Sequence, residues 1–263
     1  MLNKLLKYDL KYMLKNMLIF YILTIFFSIT TRILLSFNET IMISIIGKIS
    51  IGCLIAMFFN VIINSIIRSW VRFKDSIYKD ESYLTHTLPV EKKDIYESKF
   101  LQTFIFLIIG LLVILLGIFI AFYTKDNWLL LTSLIDKLSI NFNIPIVLFL
   151  VLCIIMFFLE MFNLVQSGFL GIILGYNKNN FKVALSMVYG FITYIITQVV
   201  VLILIFIPGL FNNEFMALFT KNELPSSNII LVLAIVSIIV YILITFVMNI
   251  ICVKTLNKGV NIE

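Results

Sequence analysis

Residues 100–123, FLQTFIFLIIGLLVILLGIFIAFY, hold no charged side chain at any position. A helix rises 1.5 Å per residue, so about 20 apolar residues cover the roughly 30 Å of hydrocarbon in a bilayer. Lipid offers backbone groups no water, so a helix is the conformation that satisfies them within the run. This stretch therefore reads as a transmembrane helix, and it is one of several. Working outward, comparable runs lie at Met17–Leu35, Ile49–Ile67 (with a start as early as Ile41), Ile144–Leu170, Val183–Ile207 and Ile229–Val253. Pro145 stands where a first-turn proline is tolerated, and Pro208-Gly209 where the fifth run should break.

Composition agrees. The chain is 62% hydrophobic and 13% charged, with a mean hydropathy of +1.11. A soluble domain of this size needs far more charge to solvate its surface. The expected fold class is an all-α membrane protein. Its parts are an interfacial helix over 1–16, one six-helix domain over 17–253, and a tail over 254–263.

Between the second and third runs lies a polar island, Arg68 to Lys99, reading RSWVRFKDSIYKDESYLTHTLPVEKKDIYESK. It holds 7 Lys/Arg and 6 Asp/Glu, so 13 of the chain's 34 charges fall in about an eighth of its length. The segments sharing a side with the N-terminus carry 15 Lys/Arg, against 5 on the other side. By the positive-inside tendency, both termini and the island are expected to be cytoplasmic.

The N-terminal MLNKLLKYDLKYMLKN places Lys4, Lys7, Lys11 and Lys15 at steps of three and four. On a helix they share one face, opposite Leu2, Leu5, Leu6 and Met13. Such a helix suits the inner interface, with its lysines toward anionic headgroups and the chain turning into the bilayer at Met17. A signal peptide fits less well, because the basic region is long and no small-x-small cleavage site follows.

Catalytic constellations are scarce. His86 is the one histidine, so no His-based metal set or His-dependent triad can form within the chain. Cys53, Cys153 and Cys252 are far apart, each inside an apolar run, and read as inert thiols. No GxxxxGK[ST] loop is present, so ATP hydrolysis of that type would need another subunit. No enzyme activity, metal or cofactor is expected of the chain itself, nor any nucleic-acid partner. Glu160 lies mid-span, where an ionised side chain costs several kcal/mol, with Asn163 and Gln166 on the same helical side. These three read either as a transport-path lining or as an interhelical bond that orients the bundle. Asn60 and Asn64 form a second stripe that lines a path or glues helices.

The centre of the island, DSIYKDESYLTHTLPVEKKDIYESK, resembles the membrane subunits of ABC-2 type exporters. In that family the connection after the second span commonly gives an acidic residue, a Leu-Pro-Val or similar, a basic pair, an isoleucine, and a lysine opening the third span. Here Asp80 and Glu81 match the acid, Leu84 the following apolar position, and Leu88-Pro89-Val90 the tripeptide. Lys92-Lys93, Ile95 and Lys99 complete the pattern. The layout is similar too, except that the outer segment from Pro208 to Ser227 is short, which puts the re-entrant helices of some relatives in doubt.

The resemblance implies a permease subunit in a bacterial plasma membrane, paired with a second permease chain, identical or paralogous. It also implies a separate cytoplasmic P-loop subunit that holds ATP and Mg. The island would supply a coupling helix that docks in a groove on that subunit. Ile77, Tyr78, Tyr83, Leu84 and Leu88 are the expected anchors, with Asp80, Glu81 and His86 at the rim. Pro89 would end the helix. The phenylalanine-rich spans point to an apolar or amphipathic cargo, a peptide such as an antimicrobial peptide among the candidates. A secondary transporter driven through Glu160 is the competing expectation. An intramembrane protease lacks a nucleophile–base pair.

Overall fold

The computed structural model describes residues 1–37, 40–79, 81–142, 145–211, 215 and 227–258. Among these residues the chain is helical with no strand: α1 (Leu2–Ser36), α2 (Ile41–Ile77), α3 (Ser82–Thr87), α4 (Lys92–Phe122), α5 (Lys125–Phe142), α6 (Ile146–Tyr176), α7 (Lys182–Leu210) and α8 (Ser227–Asn257). Six of them, α1, α2, α4, α6, α7 and α8, are long and apolar enough to cross a membrane. They cover the six runs read from sequence, except that α4 ends at Phe122, one residue short of the third, and α6 opens at Ile146, within the fourth. The chain is a multi-pass helical membrane protein by this architecture.

Three boundaries differ from expectation. α1 does not turn at Met17: residues 2–36 form one helix of about 52 Å at 1.5 Å per residue. The lysines still face outward, but Asp9, Met13 and Met17 are buried on the opposite side, which ties the first half of α1 to its neighbours. No glycine or proline interrupts the segment, so nothing favours a bend. α7 carries through Pro208 and Gly209 to Leu210, because a proline this near a helix end displaces few bonds. Residues 125–142, which hold none of the six runs, form α5. Its Trp128, Leu131, Leu134 and Leu138 recur at helical spacing but leave charges at Asp126, Asp136 and Lys137, so it is not one of the six. Most of the segment after α7 lies outside the described residues.

The chain divides into two compact units, Met1–Leu129 and Leu130–Glu263. In unit 1, α1, α2 and α4 pack on one another and α3 packs on α2. Their contact surfaces are lined by small and hydroxyl side chains, which let helices approach in lipid. Ser28 and the Phe58 ring sit against Gly117, and Val61 sits against Gly110. Thr31 and Ser50 hydrogen-bond across α1 and α2 (2.8 Å). Phe73 and Tyr96 meet edge to face with centroids 6.1 Å apart.

In unit 2, α6 packs on α7 and α8, and α7 on α8. The α6–α7 seam is tighter than any in unit 1. Gly171 and Gly175, a G-x-x-x-G pair, lie against Ser186 and Gly190, and a methyl group on either α6 glycine would overlap α7 backbone atoms.

Candidate functional site

In unit 1 the start of α1, the end of α2 and the start of α4 meet at one end, where a buried ionic cluster fastens them. Asp9 Oδ1 accepts from Arg72 Nε (3.0 Å) and from Lys99 Nζ (2.5 Å), while Asp9 Oδ2 accepts from Ser98 Oγ (2.9 Å). Asp9 is 1%, Lys99 5% and Arg72 8% exposed. A lone charge in such a place is costly; one carboxylate between two cations, with its second oxygen also bonded, is compensated. The Arg72 guanidinium lies over the Tyr12 ring, 4.4 Å from its centroid, which holds its plane. Asp9 is the lone acid in residues 1–16, and that was its only trace in the sequence.

Arg72 also reaches the island. Its Nη1 donates to Glu81 Oε2 (2.6 Å), at the residue that precedes α3. Ser82 is buried, and His86 Nε2 donates to the Ile77 carbonyl (3.0 Å). α3 is thus fixed at three points, and the chain leaves it at Leu88, whose backbone is extended, and bends at Pro89. Tyr83 and Leu84 remain 74% and 67% exposed, and Leu88 is exposed with them. Of the expected anchors, then, Tyr83, Leu84 and Leu88 present themselves outward. Ile77 and Tyr78 do not: both are fully buried within unit 1, where they help seat the end of α2, and they are corrected from partner anchors to core. Glu81 and His86 are half-buried and bond inward, to Arg72 and to the Ile77 carbonyl, while the Glu81 side chain stays 44% exposed. Asp80 lies outside the described residues.

A groove of about 540 Å³ opens beside the cluster. Its walls include Tyr8, Lys11, Tyr12 and Lys15 of α1, and Arg72 and Lys99 stand in it beside Asp9 and Glu81.

Unit 2 holds the second polar assembly. Glu160 Oε1 accepts from the Tyr194 hydroxyl (2.5 Å) and from Gln198 Nε2 (2.9 Å), both on α7. Gln198 Oε1 accepts in turn from the Tyr241 hydroxyl of α8 (3.2 Å). About one turn on, Asn163 Oδ1 accepts from Thr197 Oγ1 (3.0 Å), and a further turn on Gln166 Nε2 donates to the Thr245 carbonyl (3.1 Å). Glu160, Asn163 and Gln166 are brought together, as their spacing predicts, into a ladder down α6. Their partners Tyr194, Thr197, Gln198 and Tyr241 lie 34 to 43 residues from the groups they bind, and no local pattern marks them. Glu160 Oε2, Asn163 Nδ2, Gln166 Oε1, Ser167 Oγ and Thr245 Oγ1 are buried with no hydrogen-bond partner among the described residues. Asn60 and Asn64 stand apart from any such ladder. On the outer surface of unit 1 they bond back to their own helix, to Ala56 O (3.1 Å) and Asn60 O (2.9 Å).

No protein-family model, curated protein or solved structure matches the chain.

Proposed function

We propose that the chain is the permease subunit of a bacterial ATP-driven exporter, coupled through α3 to a separate ATP-binding subunit and paired with a second permease chain. The observation that carries this reading is the mounting of α3. A helix of six residues cannot hold itself in water, yet this one is fastened by Glu81 to Arg72, by His86 to Ile77 and by buried Ser82. The fasteners face inward and the apolar Tyr83, Leu84 and Leu88 face outward. A rigid base with exposed aromatic and aliphatic side chains suits a docked handle that must transmit displacement without folding away. From Arg72 the path runs by Asp9 and Lys99 into α1 and α4, so a push on α3 would reach three long helices at once.

On this reading both termini and the island are cytoplasmic, as the lysine and arginine asymmetry implies, and ATP with Mg resides on the partner. The cargo is apolar or amphipathic, with peptides among the candidates. The test is co-purification of a P-loop ATPase with the full chain from its own membranes. Tyr83→Glu with Leu84→Glu should abolish it while the thermal midpoint of the purified chain stays within a few degrees.

A second reading, ion-gradient-driven transport, draws on the Glu160 ladder. A carboxylate in the hydrocarbon layer, linked to α7 and α8 and continued by Asn163 and Gln166, is a lining with unused hydrogen-bonding capacity. Proton-coupled flux by the isolated chain, lost in Glu160→Gln, would favour it over the first.

A further inference from the structure

We propose that the groove beside Asp9 is a binding site for the phosphate headgroup of an anionic lipid. Six charged side chains line it: the cations Lys11, Lys15, Arg72 and Lys99, and the carboxylates Asp9 and Glu81. The two carboxylates are engaged by Arg72 and Lys99, so the buried part of the groove is close to neutral. The surplus of two positive charges belongs to Lys11 and Lys15. Both are exposed, and neither is ion-paired among the described residues.

These lysines are four residues apart on α1 and so project from one side about 6 Å apart, a spacing that admits one phosphate between them. Behind them Arg72 and Lys99 are more than nine-tenths buried and held in place by Asp9, so a polar, charge-balanced floor is built before any guest arrives. Tyr8 and Tyr12 add an aromatic wall, and Tyr12 is itself fixed against Arg72.

Depth selects the guest. Lys15 precedes the apolar run that opens at Met17 by two residues, about 3 Å of helix rise. The lysines therefore stand at the level of headgroups, where an anionic lipid is concentrated and a soluble anion is not. At about 540 Å³ the groove is far larger than a bare phosphate ion and has room for a glycerophosphate with its ester arms. The site needs no ATP-binding partner; it shares Leu84 and Leu88 of α3 with the proposed coupling surface, whereas Lys11 and Lys15 belong to the groove alone.

Two double variants test this against simple surface attraction. Lys4 and Lys7 lie on the same helix and are exposed but do not line the groove. Lys11→Gln/Lys15→Gln and Lys4→Gln/Lys7→Gln thus remove equal charge, one pair at the site and one beside it. The full chain, purified in mild detergent with mixed micelles of phosphatidylglycerol and phosphatidylcholine, is examined by native mass spectrometry for retained lipid. The expected result is selective retention of phosphatidylglycerol, weakened about tenfold or more by Lys11→Gln/Lys15→Gln and less than about threefold by Lys4→Gln/Lys7→Gln. Millimolar glycerol 1-phosphate should not displace the lipid. Equal losses in the two variants, no preference for the anionic lipid, or displacement by the soluble phosphate would each overturn the proposal.

Discussion

Units 1 and 2 each gather three long helices around one carboxylate, and they treat that carboxylate differently. In unit 1, Asp9 sits at the end of the bundle between two cations, and the three helices are held by charge. In unit 2, Glu160 sits midway along α6 and is met by a phenol and an amide, with no ion pair among the described residues. Depth accounts for the difference. Cations reach the polar end of a bundle at modest cost, whereas a cation at mid-span adds its own desolvation to that of the acid. Unit 1 is consequently fastened at its end and packed through side chains below it. Unit 2 is fastened along its length and packed backbone to backbone at Gly171 and Gly175.

The largest effect should come from the seam of unit 2. Gly171→Leu or Gly175→Leu places a side chain where α7 backbone lies, and the expected cost exceeds about 4 kcal/mol. Little monodisperse protein should survive size-exclusion chromatography. Gly117→Ala in unit 1 meets the Phe58 ring and the Ser28 hydroxyl, which can shift, and should cost about 1–3 kcal/mol. If the two variants were equally harmful, the contrast in packing would be wrong.

Next comes Asp9→Ala. It leaves Arg72 and Lys99 buried without their shared carboxylate and should cost about 3–5 kcal/mol, read as a lower thermal midpoint in detergent. Adding Arg72→Met and Lys99→Met to it should recover most of the loss, because the one charge then left unpaired, Glu81, is 44% exposed to solvent. Failure to recover would mean that the cluster acts through geometry and not charge.

Glu160→Gln should be milder, at about 1 kcal/mol or less, since an amide oxygen still accepts from Tyr194 and Gln198. A midpoint loss as large as that of Asp9→Ala would erase the distinction between the two carboxylates. The smallest effect concerns the turn before α7. Phe181 adopts φ 53°, the one positive value outside glycine among the described residues, and the residue is 82% exposed. Phe181→Gly should stabilise unit 2 by about 0.5–1 kcal/mol, measured as a raised midpoint.

The spans were legible because lipid imposes a simple rule: each apolar run of about 20 residues became a helix, and Thr40 caps the earlier of the two starts considered for α2. Helicity over 1–16 was legible from the lysine spacing, but its direction was not. Whether residues 2–16 lie flat or continue α1 depends on Asp9 reaching Arg72 and Lys99, 63 and 90 residues away. α5 was missed because its leucines are diluted by charge. In the island, Pro89 marked the end of α3 correctly, whereas composition could not separate the outward Tyr83 from the buried Tyr78, five residues earlier. That choice is made by the end of α2 packing into unit 1. In unit 2 the α6 half of the ladder was visible as a 3- and 6-residue spacing, and the α7 half was not, because partners across helices leave no periodic mark.

The central claim is that α3 is the handle by which another subunit's work enters this bundle. It is tested most directly by capture of an ATPase with wild-type chain and with Tyr83→Glu/Leu84→Glu from the same membranes, scored by identity of the captured protein and by ATP hydrolysis. The account predicts a P-loop ATPase with the wild type and its loss, with the permease intact, in the variant. Equal capture by both chains, or transport by the purified chain without any nucleotide-hydrolysing companion, would contradict it.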